Sequence, residues 1–94
     1  MVTLLIRCRV ADYDIWRPRY DAAVARDMSS GVLSTQVWRG QDDSNLVVII
    51  ETYDARESAE ALMNSPEIQA EMVADGVDPA SVQIDFLETT TTAR

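Results

Sequence analysis

The stretch VLSTQVWRGQDDSNLVVIIETY, Val32 to Tyr53, decides the fold. In its first part Leu33, Thr35 and Val37 oppose Ser34, Gln36 and Trp38, the period-two pattern of a strand. Gly40, Gln41, Asp42, Asp43, Ser44 and Asn45 follow. These are turn-forming residues, and they read as a solvated hairpin tip. Alternation then resumes, with Leu46, Val48 and Ile50 on one face and Val47, Ile49, Glu51 and Tyr53 on the other. Two strands joined by so short a polar link run antiparallel, so a hairpin stands at the centre of the chain.

Toward the N-terminus, Val2, Leu4, Ile6, Cys8 and Val10 alternate with Thr3, Leu5, Arg7 and Arg9, giving a first strand with one apolar and one mixed face. The same run lacks the basic start and small-residue cleavage site of a signal peptide. Asp12 is placed to cap a helix, and Asp14 adds negative charge to its first turn. Tyr13, Trp16, Tyr20, Val24 and Met28 then trace one helical stripe. Pro18 is expected to kink that helix or to mark its regular start, and Gly31 suits the left-handed residue beyond its end.

Toward the C-terminus, Asp54 with Glu57 resembles a capping box. Ser65 with Pro66 predicts a fresh helix start, and Gly76 its stop. Val82, Ile84 and Phe86 alternate with Gln83, Asp85 and Leu87 in a last strand. The order is β-α-β-β-α-β with a broken second helix. It predicts an α+β, ferredoxin-like, four-stranded antiparallel sheet with helices on one face. Residues 1–88 form one domain on this reading, and 89–94 a polar tail, frayed or lying along a partner.

Composition narrows the function. The chain has 94 residues and a net charge of −8, with every cationic residue an arginine. That field disfavours nucleic acid and anionic membrane surfaces. The longest apolar run, Leu46 to Ile50, is far too short to span a bilayer. A single cysteine forms no internal disulfide, which fits a cytoplasmic protein, and Cys8 reads as a small core residue. The absence of histidine removes the usual general base, haem ligand and zinc ligand. The expectation is a site without metal or cofactor.

Helices on one side leave the other sheet face uncovered. Alternation assigns to it Thr3, Leu5, Arg7 and Arg9; Ser34, Gln36 and Trp38; Val47, Ile49, Glu51 and Tyr53; and Gln83, Asp85 and Leu87. Such a face is too apolar for water. Two copies meeting across a two-fold axis would close a dimeric α/β barrel, with one pocket per subunit between sheet and helices.

The run Val10-Ala11-Asp12-Tyr13-Asp14-Ile15-Trp16-Arg17-Pro18, then Tyr20-Asp21, resembles the opening of small dimeric α/β-barrel proteins. Trp38-Arg39-Gly40, the apolar strand ending in Glu51, Ser65-Pro66-Glu67 and Phe86-Leu87-Glu88 are similar too. The likeness spans Val2 to Glu88. That superfamily includes antibiotic-biosynthesis-type monooxygenases, cyclases and isomerases. The resemblance implies a homodimer and a cofactor-independent monooxygenase or cyclase acting on an aromatic or polyketide-like compound. The alternative is a non-catalytic dimeric module that binds a ligand or stabilises a partner.

The candidate catalytic residues are Arg7, Arg9 and Glu51. Either arginine suits a phenolate or a developing oxyanion, and Glu51 suits a general base. The plainer reading pairs these arginines with Glu51 and Asp85 in a structural network. The expected pocket comprises Arg7, Arg9, Gln36, Trp38, Glu51, Tyr53, Gln83 and Asp85. Trp16 and Tyr20 read as core.

Overall fold

The computed structural model describes residues 1–90. The remainder of the polar tail expected from Thr89 onward lies outside the described residues. Strand β1 (Val2–Arg9) leads into helix α1 (Tyr13–Asp27), then β2 (Val32–Arg39) and β3 (Leu46–Tyr53). Helices α2 (Arg56–Met63) and α3 (Pro66–Ala74) and strand β4 (Gln83–Leu87) complete the order. The sheet runs β2-β3-β1-β4 with every pairing antiparallel. This is the expected ferredoxin-like α+β arrangement, and the sheet stays open rather than closing on itself. None of the described helices is long and apolar enough to cross a membrane.

Local chemistry explains the ends of the elements. Asp12 caps α1, its Oδ1 accepting the Asp14 N–H at 2.9 Å. Helix α1 begins at Tyr13, so Pro18 lies within it and does not mark its start. Gly31 turns the chain at φ 105°, with Asp54 and Ser58 so close that any Cβ would collide with them. The capping box expected at Asp54 is absent. Ala55 occupies the cap position without a side-chain bond, and the Asp54 carboxylate instead accepts the Ser58 hydroxyl at 2.6 Å. Ser65 caps α3 as expected, accepting the Ile68 N–H at 3.3 Å.

The core lies between the sheet and the helices. Leu4, Ile6 and Cys8 of β1, Val47, Ile49 and Tyr53 of β3, Trp16 of α1 and Ala59 of α2 are all buried there. This reverses the expected facing of β3. Pairing with β1 sets Glu51 opposite Leu4, Ile49 opposite Ile6 and Val47 opposite Cys8, so these residues share the helix-covered side. Leu46, Val48 and Ile50 turn to the open side instead. Both faces of β3 are apolar, so alternation fixes the pairs but not their direction. The polar Glu51 and Tyr53 tipped the sequence reading outward.

The hairpin tip is bonded rather than merely solvated. Asp43 pairs with Arg9, and its Oδ1 accepts the Asn45 N–H at 3.0 Å. Asn45 accepts the Tyr13 N–H through Oδ1 at 3.1 Å and the Val10 N–H through its carbonyl at 2.9 Å. It therefore ties the hairpin to the β1–α1 corner. Asn45→Ala leaves the part-buried Tyr13 N–H without its acceptor and is expected to cost about 1–2 kcal/mol. Urea unfolding checks this as a lower midpoint at unchanged slope. Asn45→Asp keeps the acceptor and is expected to lose less.

Candidate functional site

Under the helices the sheet carries one buried charged residue, Glu51, only 6% exposed. A carboxylate taken out of water needs partners for both oxygens. Here they are phenols. The Tyr20 hydroxyl donates to Oε2 at 2.6 Å and the Tyr53 hydroxyl donates to Oε1 at 2.7 Å. Tyr53 lies two residues along the same strand and therefore on the same face. Tyr20 comes from α1, placed one turn after Trp16 so that both rings descend onto the sheet. Their rings stack with centroids 5.0 Å apart, and Tyr13 extends the aromatic row, 5.8 Å from Trp16.

Burial first, and then the neighbouring Glu51 charge and the hydrogen bond to it, hold both phenols well above the usual tyrosine range. They remain protonated donors throughout the physiological range. Burial likewise pushes the Cys8 thiol up, so it behaves as an inert core group.

This cluster lines a cavity of about 90 Å³ between sheet and helices. The wall is mostly apolar, with Ile6, Cys8, Trp16, Ile49 and Met72 prominent in it, while Asp27, Glu71 and Asp75 add carboxylates. Among the described residues no arginine lines it. Across the flanking helices Arg26 of α1 grips Glu71 of α3 with two bonds, 2.7 and 3.0 Å. Arg26 holds the Glu71 carboxyl below its ordinary value.

The expected pocket is thus divided by the sheet itself. Glu51 and Tyr53 face the cavity. Arg7, Arg9, Gln36, Trp38, Gln83 and Asp85 lie on the opposite, open face. There Arg7 stands across the ladders from Val48 and Gln83, and Asp85 across from Leu5. Neither expected ion pair to Glu51 forms, because Arg9 pairs with Asp43 and Glu51 bonds the two tyrosines. Trp38 is 60% exposed on the open face, which it shares with Leu5, Leu46, Val48, Ile50 and Leu87. Trp16 and Tyr20 belong to the core as expected, but their place along the cavity beside Glu51 was not foreseen. The available signal was their four-residue spacing on one stripe, together with a strand glutamate that needed a donor.

The fold and site together define a class: a ferredoxin-like α+β protein with a carboxylate–diphenol cavity beneath its helices. No protein-family model matches the chain, and no curated protein matches it either. Solved structures do match. One is SnoaB, a cofactor-independent oxygenase from Streptomyces nogalater, at TM-score 0.78 and 15% identity over 97% of this chain and 94% of that one. Another is an antibiotic biosynthesis monooxygenase, at TM-score 0.75 and 14% identity over 97% of this chain and all of that one. A conserved protein from Methanosarcina mazei matches at TM-score 0.72 and 8% identity, over 95% and 92% of the two chains. The chain therefore has the fold of antibiotic biosynthesis monooxygenase-like ferredoxin-fold proteins.

The phenol shifts carry a pH dependence of definite sign. A tyrosine in the unfolded chain ionises near pH 10, whereas folded Tyr20 and Tyr53 ionise only above that. Their contribution is complete below pH 10 and lost as pH rises beyond it. In absorbance titration of the native protein, these two of the three tyrosines are expected to stay un-ionised at about pH 11. Glu51→Gln, which removes the neighbouring charge, is expected to bring their titration down.

Proposed function

We propose that the chain is a cofactor-independent oxygenase or cyclase acting on a small hydroxylated aromatic or polyketide-like compound. The observation that carries this reading is the Glu51 carboxylate, buried in a largely apolar cavity and bonded only to phenols. Such a group accepts a proton from an acidic phenol or enol held against it. Tyr20 and Tyr53, both still protonated, can turn their O–H groups from Glu51 to the oxygen on which charge develops. They take the role that the sequence assigned to Arg7 and Arg9.

In the oxidative case an activated CH₂ group reacts as its enol tautomer, whose hydroxyl gives its proton to Glu51. The enolate carbon passes electrons to dioxygen, and the peroxide formed takes the proton back from Glu51. The hydroperoxide then loses water and leaves a carbonyl, so CH₂ and O₂ become C=O and H₂O. The substrate is the reductant, and no flavin or metal enters the balance. The cyclase variant uses the same enolate, closing a ring onto a carbonyl of the same molecule. SnoaB, of the same fold, is a cofactor-independent oxygenase, which supports the oxidative form.

The proposal includes a homodimer. Leu5, Leu46, Val48, Ile50 and Trp38 form an apolar surface on the sheet face that none of the described helices covers, with Arg7, Gln83 and Asp85 beside it. A second copy presents the same surface and can bury it across a two-fold axis. Trp38 is the natural anchor of that contact. Trp38→Asp is expected to shift the protein from dimer toward monomer in light scattering, and a compact monomer already present in the unmodified protein at micromolar concentration overturns the dimer.

A second reading, a dimeric binding module without turnover, is favoured by the cavity's small volume of about 90 Å³. Oxygen uptake with polyphenols separates the two. The enzyme reading expects consumption that falls at least about a hundredfold in Glu51→Gln, given the usual contribution of one general base. Tyr20→Phe and Tyr53→Phe are expected to fall less. Thermal stabilisation by polyphenols without oxygen uptake or a cyclised product supports the binding module instead.

A further inference from the structure

The cavity beside Glu51 holds about 90 Å³, whereas small-molecule sites occupy roughly 300–1,000 Å³. The missing space lies next to it. An open groove of about 490 Å³ runs between α3 and the helix-side edge of β4, with Pro66, Val73, Pro79, Val82 and Ile84 in its walls. The cavity and the groove share three lining residues, Met63, Met72 and Val77. Those residues are the partition between them.

The partition is unequal in stiffness. Val77 is 5% exposed and fixed by its backbone, which bridges to Val10 and donates to the Met72 carbonyl at 3.0 Å. Met63 closes the end of α2 and Met72 lies in α3, both only partly buried. An unbranched thioether has three rotatable bonds and repacks at little cost. A change of rotamer at these two side chains joins the cavity to the groove without moving the sheet or unfolding a helix.

We propose that Met63 and Met72 form a movable partition, and that the full binding site runs from Glu51 past them into the α3–β4 groove. This rests on the reading of Glu51 as the acceptor for a substrate hydroxyl. It adds the shape and polarity of the ligand: an uncharged molecule with one hydroxyl donor at its inner end and an elongated apolar body. The inner end needs a donor because Glu51 accepts. The body is apolar because the groove walls are mostly so, and an anionic head is refused by Glu51, with no arginine among the described residues of the cavity wall to offset it. Ile84, 36% exposed on the groove wall, then determines specificity for the ligand's length.

A series of 4-alkylphenols tests this by titration calorimetry with the unmodified protein. Affinity is expected to rise about three- to fourfold per added methylene while the chain is entering the groove, and then to level off. The matching alkylphenyl methyl ethers, which lack the donor, are expected to bind at least about tenfold more weakly, as follows from leaving a buried carboxylate facing an ether oxygen. Ile84→Gln is expected to abolish the gain with chain length while leaving 4-methylphenol unchanged. Val73→Gln, at an exposed helix position, gives the same result by an independent change. Phenols that bind with no dependence on chain length overturn the extended site and leave the Glu51 reading intact. So does a long-chain affinity unmoved by both groove variants. Failure of every phenol to bind sinks both.

Discussion

A carboxylate cannot leave water cheaply, and the centre of this structure is organised around one that has done so. Glu51 occupies a core position on the third strand. Its two oxygens are taken by hydroxyls 2.6 and 2.7 Å away, one from its own strand and one from the first helix. Neutral phenols rather than arginines solve the problem, within a mostly apolar wall. The consequence runs outward. Helix α1 must lie where Tyr20 reaches Glu51, which seats Trp16 against the sheet and leaves room beneath the helices instead of a filled core. The cavity thus accompanies the hydrogen-bond geometry that keeps the carboxylate satisfied.

The two sides of the sheet divide the work. Beneath the helices lies a mostly apolar cavity with the Glu51 carboxylate on its wall, the space in which the proposed chemistry would occur. On the other side lies an open surface of aliphatic residues and Trp38, fringed by Arg7, Arg9 and Asp85. An arginine there can join a contact with a second copy, but it cannot stabilise an anion beside Glu51 through the thickness of its own sheet. In the proposed reaction the electrostatic help expected from arginine comes from tyrosine instead. Phenols whose ionisation is suppressed suit that role, because they donate without surrendering their protons.

Helix ends, turns and element order were written locally and could be read. Asp12 and Ser65 cap because a short acceptor side chain there meets free backbone N–H groups, and Gly31 turns because only glycine adopts its φ without strain. Pattern length and turn chemistry also gave the four strands and their antiparallel sense. Helix α1 runs through Pro18, and the capping box at Asp54 is missing because its carboxylate accepts the Ser58 hydroxyl instead, a contact that outweighs a capping preference of order one kcal/mol.

The chain alone determined which residues share a face along β1, β3 and β4, because side chains alternate with a period of two, whereas in β2 a register shift between Val32 and Ser34 breaks the alternation and leaves Leu33 exposed. The chain alone could not determine which way β3 faces, since Leu46, Val48 and Ile50 are as greasy as Val47 and Ile49. That choice came from the ladder with β1 and from Tyr20, 31 positions away in sequence. A buried glutamate is stable only if distant groups are delivered to it, and delivery over that distance is a property of the folded chain. Packing therefore decided how the expected residues divide, with Glu51 and Tyr53 beneath the helices and Arg7, Arg9, Gln36, Trp38, Gln83 and Asp85 on the open face.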